Sequence, residues 1–185
     1  MRVFVLCTGR CGSTTFIKAC GHIENYTASH ESLARRLDET RFDYPDNHIE
    51  ADNRLSWFLG ELGSRFNKDT LFVHLLRNKA DTVLSLNKRW HNYSINKAFV
   101  TGICMTSDDK LSEDDKLKAC AFFYDTINNN IRCFLAAQPN KLTVNLEKIK
   151  EDFACFWALI GAKGDFDAAI AELEIHHNAS DVAVL

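Results

Sequence analysis

Apolar positions along this chain fall into two recurring patterns. Arg2–Cys7 and Leu71–Leu76 are short, almost unbroken apolar runs, the signature of strands buried on both faces. Elsewhere the apolar residues recur every three or four positions. Leu55, Phe58, Leu59, Leu62 and Phe66 share one face of a helix predicted over Asn53–Phe66. Leu117, Cys120, Tyr124, Ile127, Ile131 and Leu135 share one face of a long helix capped by Ser112. Shorter segments complete the alternation. Strands are predicted at Asn25–Ala28, His48–Ala51 and Leu142–Leu146. Helices are predicted from Thr14 to Gly21, near Glu31–Leu37, over Lys79–Trp90 behind an Asn78 cap, and over Phe153–Ile160, ending near Gly161. Strands alternating with helices predict an α/β fold, with a central, mostly parallel sheet flanked by helices in three layers. Such a sheet takes its ligands at the carboxyl ends of its strands. Gly102–Asp115, the most polar stretch, reads as a surface loop or lid.

Composition narrows the reading. With 185 residues, 46% hydrophobic and 25% charged, the chain suits one globular domain over 1–185. It shows no repeat and no low-complexity tract. The formal charge is −3 and the pI about 6.2, so nucleic acid is not an expected partner. An anionic ligand would instead be held by a few focused cations and backbone dipoles. The seven cysteines lack CxxC pairs and paired histidine spacing, which argues against a metal site. Their scatter fits reduced thiols in a cytoplasmic setting. Arg2–Cys7 is too short for an export signal, and no run approaches the ~20 apolar residues of a membrane span.

Two segments carry candidate chemistry. In Val5–Phe16 a buried strand runs into a turn containing Gly9 and Gly12, and a helix starts straight after it. That arrangement aims unpaired N–H groups and the positive end of a helix dipole at one point, where an anion is the natural occupant. Ser13, Thr14 and Thr15 add hydroxyls, and Arg10 adds a cation. An ordinary capped turn would use the same residues. No lysine follows Gly12, so the segment is not a Walker A loop. Neither Cys7 nor Cys11 has an arginine six positions on, as a cysteine phosphatase would require. In the second segment Arg77 ends a strand, and Ser85 lies about two turns along the next helix, so the two can converge on one phosphate. Arg77 paired with an acid, and an indifferent Ser85, would be the plain alternative.

Taken together, the segments resemble the sulfotransferase family. Arg10-Cys11-Gly12-Ser13-Thr14 is similar to its 5′-phosphosulfate loop. Arg77-Asn78-Lys79-Ala80-Asp81, with Ser85 downstream, is similar to its 3′-phosphate segment. Val144–Ile149 and Asn178-Ala179-Ser180 resemble later family segments more weakly. Cys11 stands where the family usually has serine, Lys79 where it has proline, and the chain is shorter than many members. The resemblance implies a P-loop-like fold and transfer of a sulfuryl group from 3′-phosphoadenosine 5′-phosphosulfate (PAPS) to a hydroxyl or amine, leaving 3′-phosphoadenosine 5′-phosphate (PAP), with no metal required. Arg10, Cys11, Gly12, Ser13, Thr14 and Thr15 would hold the 5′ end, and Arg77 and Ser85 the 3′-phosphate. Arg10 would also stabilise the leaving group. Glu31 is the first candidate for the base, followed by Glu50, His48 and His30.

The acceptor, a small molecule or glycan, would sit among loops such as Asp38–Asn47 and Gly102–Asp115. Trp57, Trp90 and Trp157 read as core or pocket-wall residues, and His176-His177 as a tail feature. Two other functions remain open at this point. One is a P-loop-type nucleotide or small-molecule kinase. The other is a module that binds PAPS or PAP without transfer.

Overall fold

The computed structural model describes residues 1–66, 69–92, 94–175 and 177. Five strands form one sheet: β1 (Arg2–Leu6), β2 (Thr27–His30), β3 (His48–Ala51), β4 (Thr70–Leu76) and β5 (Lys141–Asn145). The order is β2-β3-β1-β4-β5 and every pairing is parallel. The fold is therefore the predicted α/β class. After β1 the chain fills one side of the sheet with β2 and β3, then crosses to the other side for β4 and β5. The carboxyl end of β1 thus lies at the topological switch point, where open parallel sheets place ligands.

The strand sequences build two cores because both parities are apolar. Val3 and Val5, with Ile49, Leu71 and Val73, face one side. There they pack with α1 (Ser13–Cys20), α6 (Ile149–Leu159) and α7 (Phe166–Glu172) around Phe16, Phe153 and Phe156. Phe4, Leu6 and Phe72 face the other side. They meet Leu62 of α2 (Leu59–Arg65), Leu86 of α3 (Lys79–Lys88) and the stripe Cys120, Ile127, Ile131 and Leu135 of α5 (Glu113–Ala136). Ser112 caps α5, accepting from the Asp115 N–H, and Asn78 caps α3, accepting from Ala80 and Asp81. Trp90 lies in this second core, while Trp57 and Trp157 are half-buried against the two cores.

Several predicted elements differ from the observed ones. The second strand lies two residues later than expected. No helix forms at Glu31–Leu37, because its backbone groups are claimed from elsewhere. The Glu31 N–H bonds Ala51 O, the Ser32 N–H bonds the Glu50 carboxylate, and Arg41 takes the carbonyls of Leu33 and Ala34. The helix expected over Asn53–Phe66 breaks at Phe58 (φ −119°, ψ 30°) into a 3₁₀ turn, Asn53–Trp57, and α2. The expected loop Gly102–Asp115 contains the end of a π-turn (Phe99–Ile103), a 3₁₀ turn (Asp108–Lys110) and the start of α5. The short helix α4 (Ser94–Ala98), like α7, was not signalled by periodicity. No helix among the described residues is long and apolar enough to cross a membrane.

Candidate functional site

The loop between β1 and α1 carries three residues at positive φ: Gly9 (77°), Arg10 (59°) and Gly12 (88°). Gly12 is the α1 N-cap, with no side chain to satisfy the first turn. The helical ladder begins with the Phe16 N–H donating to Gly12 O at 2.9 Å, so the preceding N–H groups have no acceptor within the helix. A Cβ on Gly12 would stand 2.6 Å from Leu146 Cδ1. The left-handed backbone and this close approach together fix glycine here.

Cys11 explains itself. Its side chain is 1% exposed and points beneath the loop, where it hydrogen bonds to the buried Cys7 thiol. That bond, reinforced by loop N–H groups, holds the Cys11 thiol below its ordinary value. The bond to Cys11, together with burial, pushes Cys7 well up. Cys11 therefore serves the interior of the loop and does not line the cleft beside it. All seven cysteines are free.

Arg77, just past β4, donates from one terminal nitrogen to Arg10 O at 3.2 Å, and its own carbonyl accepts from Tyr124 Oη at 2.9 Å. Arg10 donates from Nε to Ser85 Oγ at 3.1 Å. Loop, strand end and helix thus converge. Arg10, Gly12, Ser13, Thr14, Thr15, Arg77 and Ser85 all line one cleft of about 730 Å³, a size suited to a nucleotide. Of the eight residues expected to hold a nucleotide, only Cys11 does not line it. The Asp81 and Lys88 side chains share the α3 face of Ser85 at spacings of four and three, a signal the sequence carried but did not advertise.

The far wall was not foreseen: Leu146 and Ile149 follow β5, and Leu173–Ile175 and His177 follow α7. Thr15 Oγ1 donates to Ile175 O at 3.3 Å, and His177 bonds Lys18 (3.0 Å) and Glu172 (2.5 Å). His177 therefore lines the cleft. His176 and the Asn178-Ala179-Ser180 segment lie outside the described residues. No cluster of three or more metal-ligating side chains occurs among the described residues.

The two candidate bases occupy different surroundings. Glu50 is central in β3 and 0% exposed. Its oxygens accept from Ser32 N–H (2.7 Å) and Ser32 Oγ (2.6 Å) and bond His48 Nε2 (3.0 Å). His48 is itself bonded to Thr27 Oγ1 at 2.7 Å. This chain of bonds, buried at His48 and Glu50, links β2 to β3. Glu31 stands just past the carboxyl end of β2 with φ 54° and a partly exposed side chain. One carboxylate oxygen meets Arg54 at 2.8 Å. Its neighbour His30 is hydrogen bonded through Nε2 to Ser13 Oγ at 3.0 Å. Glu31 is therefore one residue from a contact with the β1–α1 loop.

No protein-family model and no curated protein matches this sequence. Among solved structures, the chain is similar to mouse sulfotransferase SULT7A1 complexed with PAP, with a TM-score of 0.58 at 12% identity. The likeness covers 94% of this chain and 63% of that protein, so the chain spans under two thirds of its length. At that identity the shared feature is the fold.

Proposed function

We propose that this chain is a sulfotransferase using PAPS as donor. One observation carries the reading: Arg10 and Arg77, sixty-seven residues apart in sequence, meet at one cleft together with Ser85 and the N-terminus of α1. Two strand ends there offer cations and hydroxyls suited to a nucleotide that is anionic at both its 3′ and 5′ ends. The likeness in fold to a protein complexed with PAP supports the same ligand class.

In this reading the first turn of α1, with the Ser13, Thr14 and Thr15 side chains, holds the 5′-phosphosulfate. Arg77 and Ser85 hold the 3′-phosphate. PAPS supplies an activated sulfuryl group poised for in-line displacement. Arg10, anchored between loop and α3, counters the charge that develops on the departing phosphate oxygen. Most of the rate then comes from alignment and charge stabilisation.

Glu31, rather than Glu50, takes the proton from the acceptor. Glu50 is enclosed and already accepts from Ser32 and His48, whereas Glu31 is accessible and oriented by Arg54. Its place beside His30 puts it near Ser13, where the sulfuryl group would lie. The loop lacks the lysine of a Walker A motif, which disfavours the kinase alternative. The test is incubation with PAPS and a mixed acceptor pool, with PAP release followed by chromatography. PAP release that depends on acceptor is expected. Phosphoryl transfer from ATP without PAP release from PAPS would contradict the reading.

A further inference from the structure

His30 is the last residue of β2, and the sheet determines which way its ring points. Side chains alternate along a strand, so His30 shares a face with Ala28. Ala28 packs against the core that contains Phe16 and Ile17 of α1, which places the His30 ring on the α1 side. There its Nε2 lies 3.0 Å from Ser13 Oγ, at the first position of that helix. The contact joins the end of β2 to the floor of the nucleotide cleft, which Ser13 lines.

The strand end that carries His30 is held on both flanks. Before it, β2 runs parallel to β3, with His30 in register with Ala51. After it, the Glu31 N–H donates to Ala51 O at 3.0 Å, and the Ser32 N–H and hydroxyl both donate to the buried Glu50 carboxylate. An exposed ring thus stands on a backbone pinned by interior bonds. Such a ring contributes little to packing, but its nitrogen is aimed.

The Ser13 hydroxyl carries one hydrogen and can both donate and accept. With an anionic oxygen at the first turn of α1, that hydrogen is drawn to the anion. Oγ then accepts, and Nε2 of His30 supplies the hydrogen. The ring thereby selects the direction in which Ser13 donates. Sheet order indicates which anion this is. Arg77 and Ser85, the 3′-phosphate residues of the reading above, follow β4 on one side of β1. His30 ends β2 on the other side, beyond β3. The other terminus of the donor is its sulfuryl group, the one part that PAP lacks.

We infer that His30 is a positioning residue for the sulfuryl group: through Nε2 it turns the Ser13 hydroxyl toward a sulfuryl oxygen, so that the pair distinguishes PAPS from PAP. The inference rests on the sulfotransferase reading above. It gives the site a contact that the donor makes and the spent nucleotide does not. Specificity of this kind is a difference of two affinities, and here it favours donor loading and product release.

Calorimetry with PAPS and with PAP, without acceptor, tests it on the wild type, His30→Ala, His30→Gln, Ser13→Ala and the His30→Ala, Ser13→Ala double variant. The wild type should bind PAPS more tightly than PAP. His30→Ala should lower PAPS affinity about tenfold, the low end for a hydrogen bond to a charged group. PAP affinity should stay at the wild-type value, which also confirms an intact fold. His30→Gln keeps an N–H donor at similar reach and should restore most of the loss. On the Ser13→Ala background, removing His30 should have no further effect, because His30 acts through Ser13. Equal wild-type affinity for PAPS and PAP would overturn the inference. So would unchanged PAPS binding in His30→Ala, a parallel loss for both nucleotides, no recovery in His30→Gln, or additive losses in the double variant. Failure of the wild type to bind either nucleotide would overturn the donor assignment itself, and the two failures are thereby told apart.

Discussion

The Nε of Arg10 donates to Ser85 Oγ at 3.1 Å, across seventy-five residues of sequence. This bond ties the turn after β1 to the helix after β4. Both residues line the same cleft, so a ligand there meets a loop and a helix already joined. Preorganisation of this kind lowers the ordering cost of binding.

Ser85→Ala removes one neutral hydroxyl from that junction. Its partners are the charged Arg10 and, in this reading, the 3′-phosphate, and a hydrogen bond to a charged group is worth about 1.5–3 kcal/mol, so PAP affinity should fall by roughly 10- to 150-fold. Calorimetry of PAP binding to the two proteins checks it, with the unfolding temperature measured alongside to confirm an intact fold.

Gly12→Ala meets two obstacles, the φ of 88° and the 2.6 Å approach to Leu146 Cδ1. Trimming the neighbour in a Gly12→Ala, Leu146→Ala double variant relieves the second but not the first. The single substitution should cost about 1–3 kcal/mol and abolish measurable PAP binding. The double variant should not recover PAP binding. Chemical denaturation and calorimetry report the two effects.

The two glutamates should separate cleanly. Glu31→Gln keeps nucleotide affinity and unfolding temperature but lowers acceptor turnover by about 10²-fold or more, the usual contribution of a positioned base. Glu50→Gln strikes a buried hydrogen-bonded carboxylate and should cost about 1–3 kcal/mol, or several degrees in unfolding temperature. Equal stability loss in both variants would refute the division of roles.

Burial lowers the pKa of His74, which faces Asn128 Oδ1 at 2.9 Å from the middle of β4. A lowered histidine pKa means that the unfolded chain binds more protons as pH falls below about 6.5. Stability should therefore drop between pH 7.5 and 5.5. The drop should be smaller in His74→Gln, which lacks the titrating ring; an identical pH dependence would show that His74 does not contribute.

How far the sequence revealed this site follows from what each residue depends on. The β1 strand, the glycine turn and α1 were legible because an unbroken apolar run and local backbone demands determine them. Arg77 and Ser85 were legible through the same strand-to-helix logic. The β2 region was misplaced by two residues because Thr27–His30 is a half-exposed strand without an apolar run. Glu31–Leu37 looked helical, yet Arg41, Glu50 and Ala51 take its backbone groups, and those partners lie outside the segment, in a later turn and in β3. Glu50 stood as the second candidate after Glu31 because burial within a parallel sheet leaves no trace in local composition.

The central claim is that Arg77 reads a phosphate at the 3′ end of the nucleotide. Calorimetry of PAP against ADP, which carries its two phosphates at one end, tests it most directly on the wild type and on Arg77→Ala. The account predicts at least tenfold preference for PAP. Arg77→Ala should lower PAP affinity by about 10- to 100-fold, as loss of a hydrogen bond to a charged group would, and leave ADP nearly unaffected. Equal affinity of the wild type for PAP and ADP would contradict it.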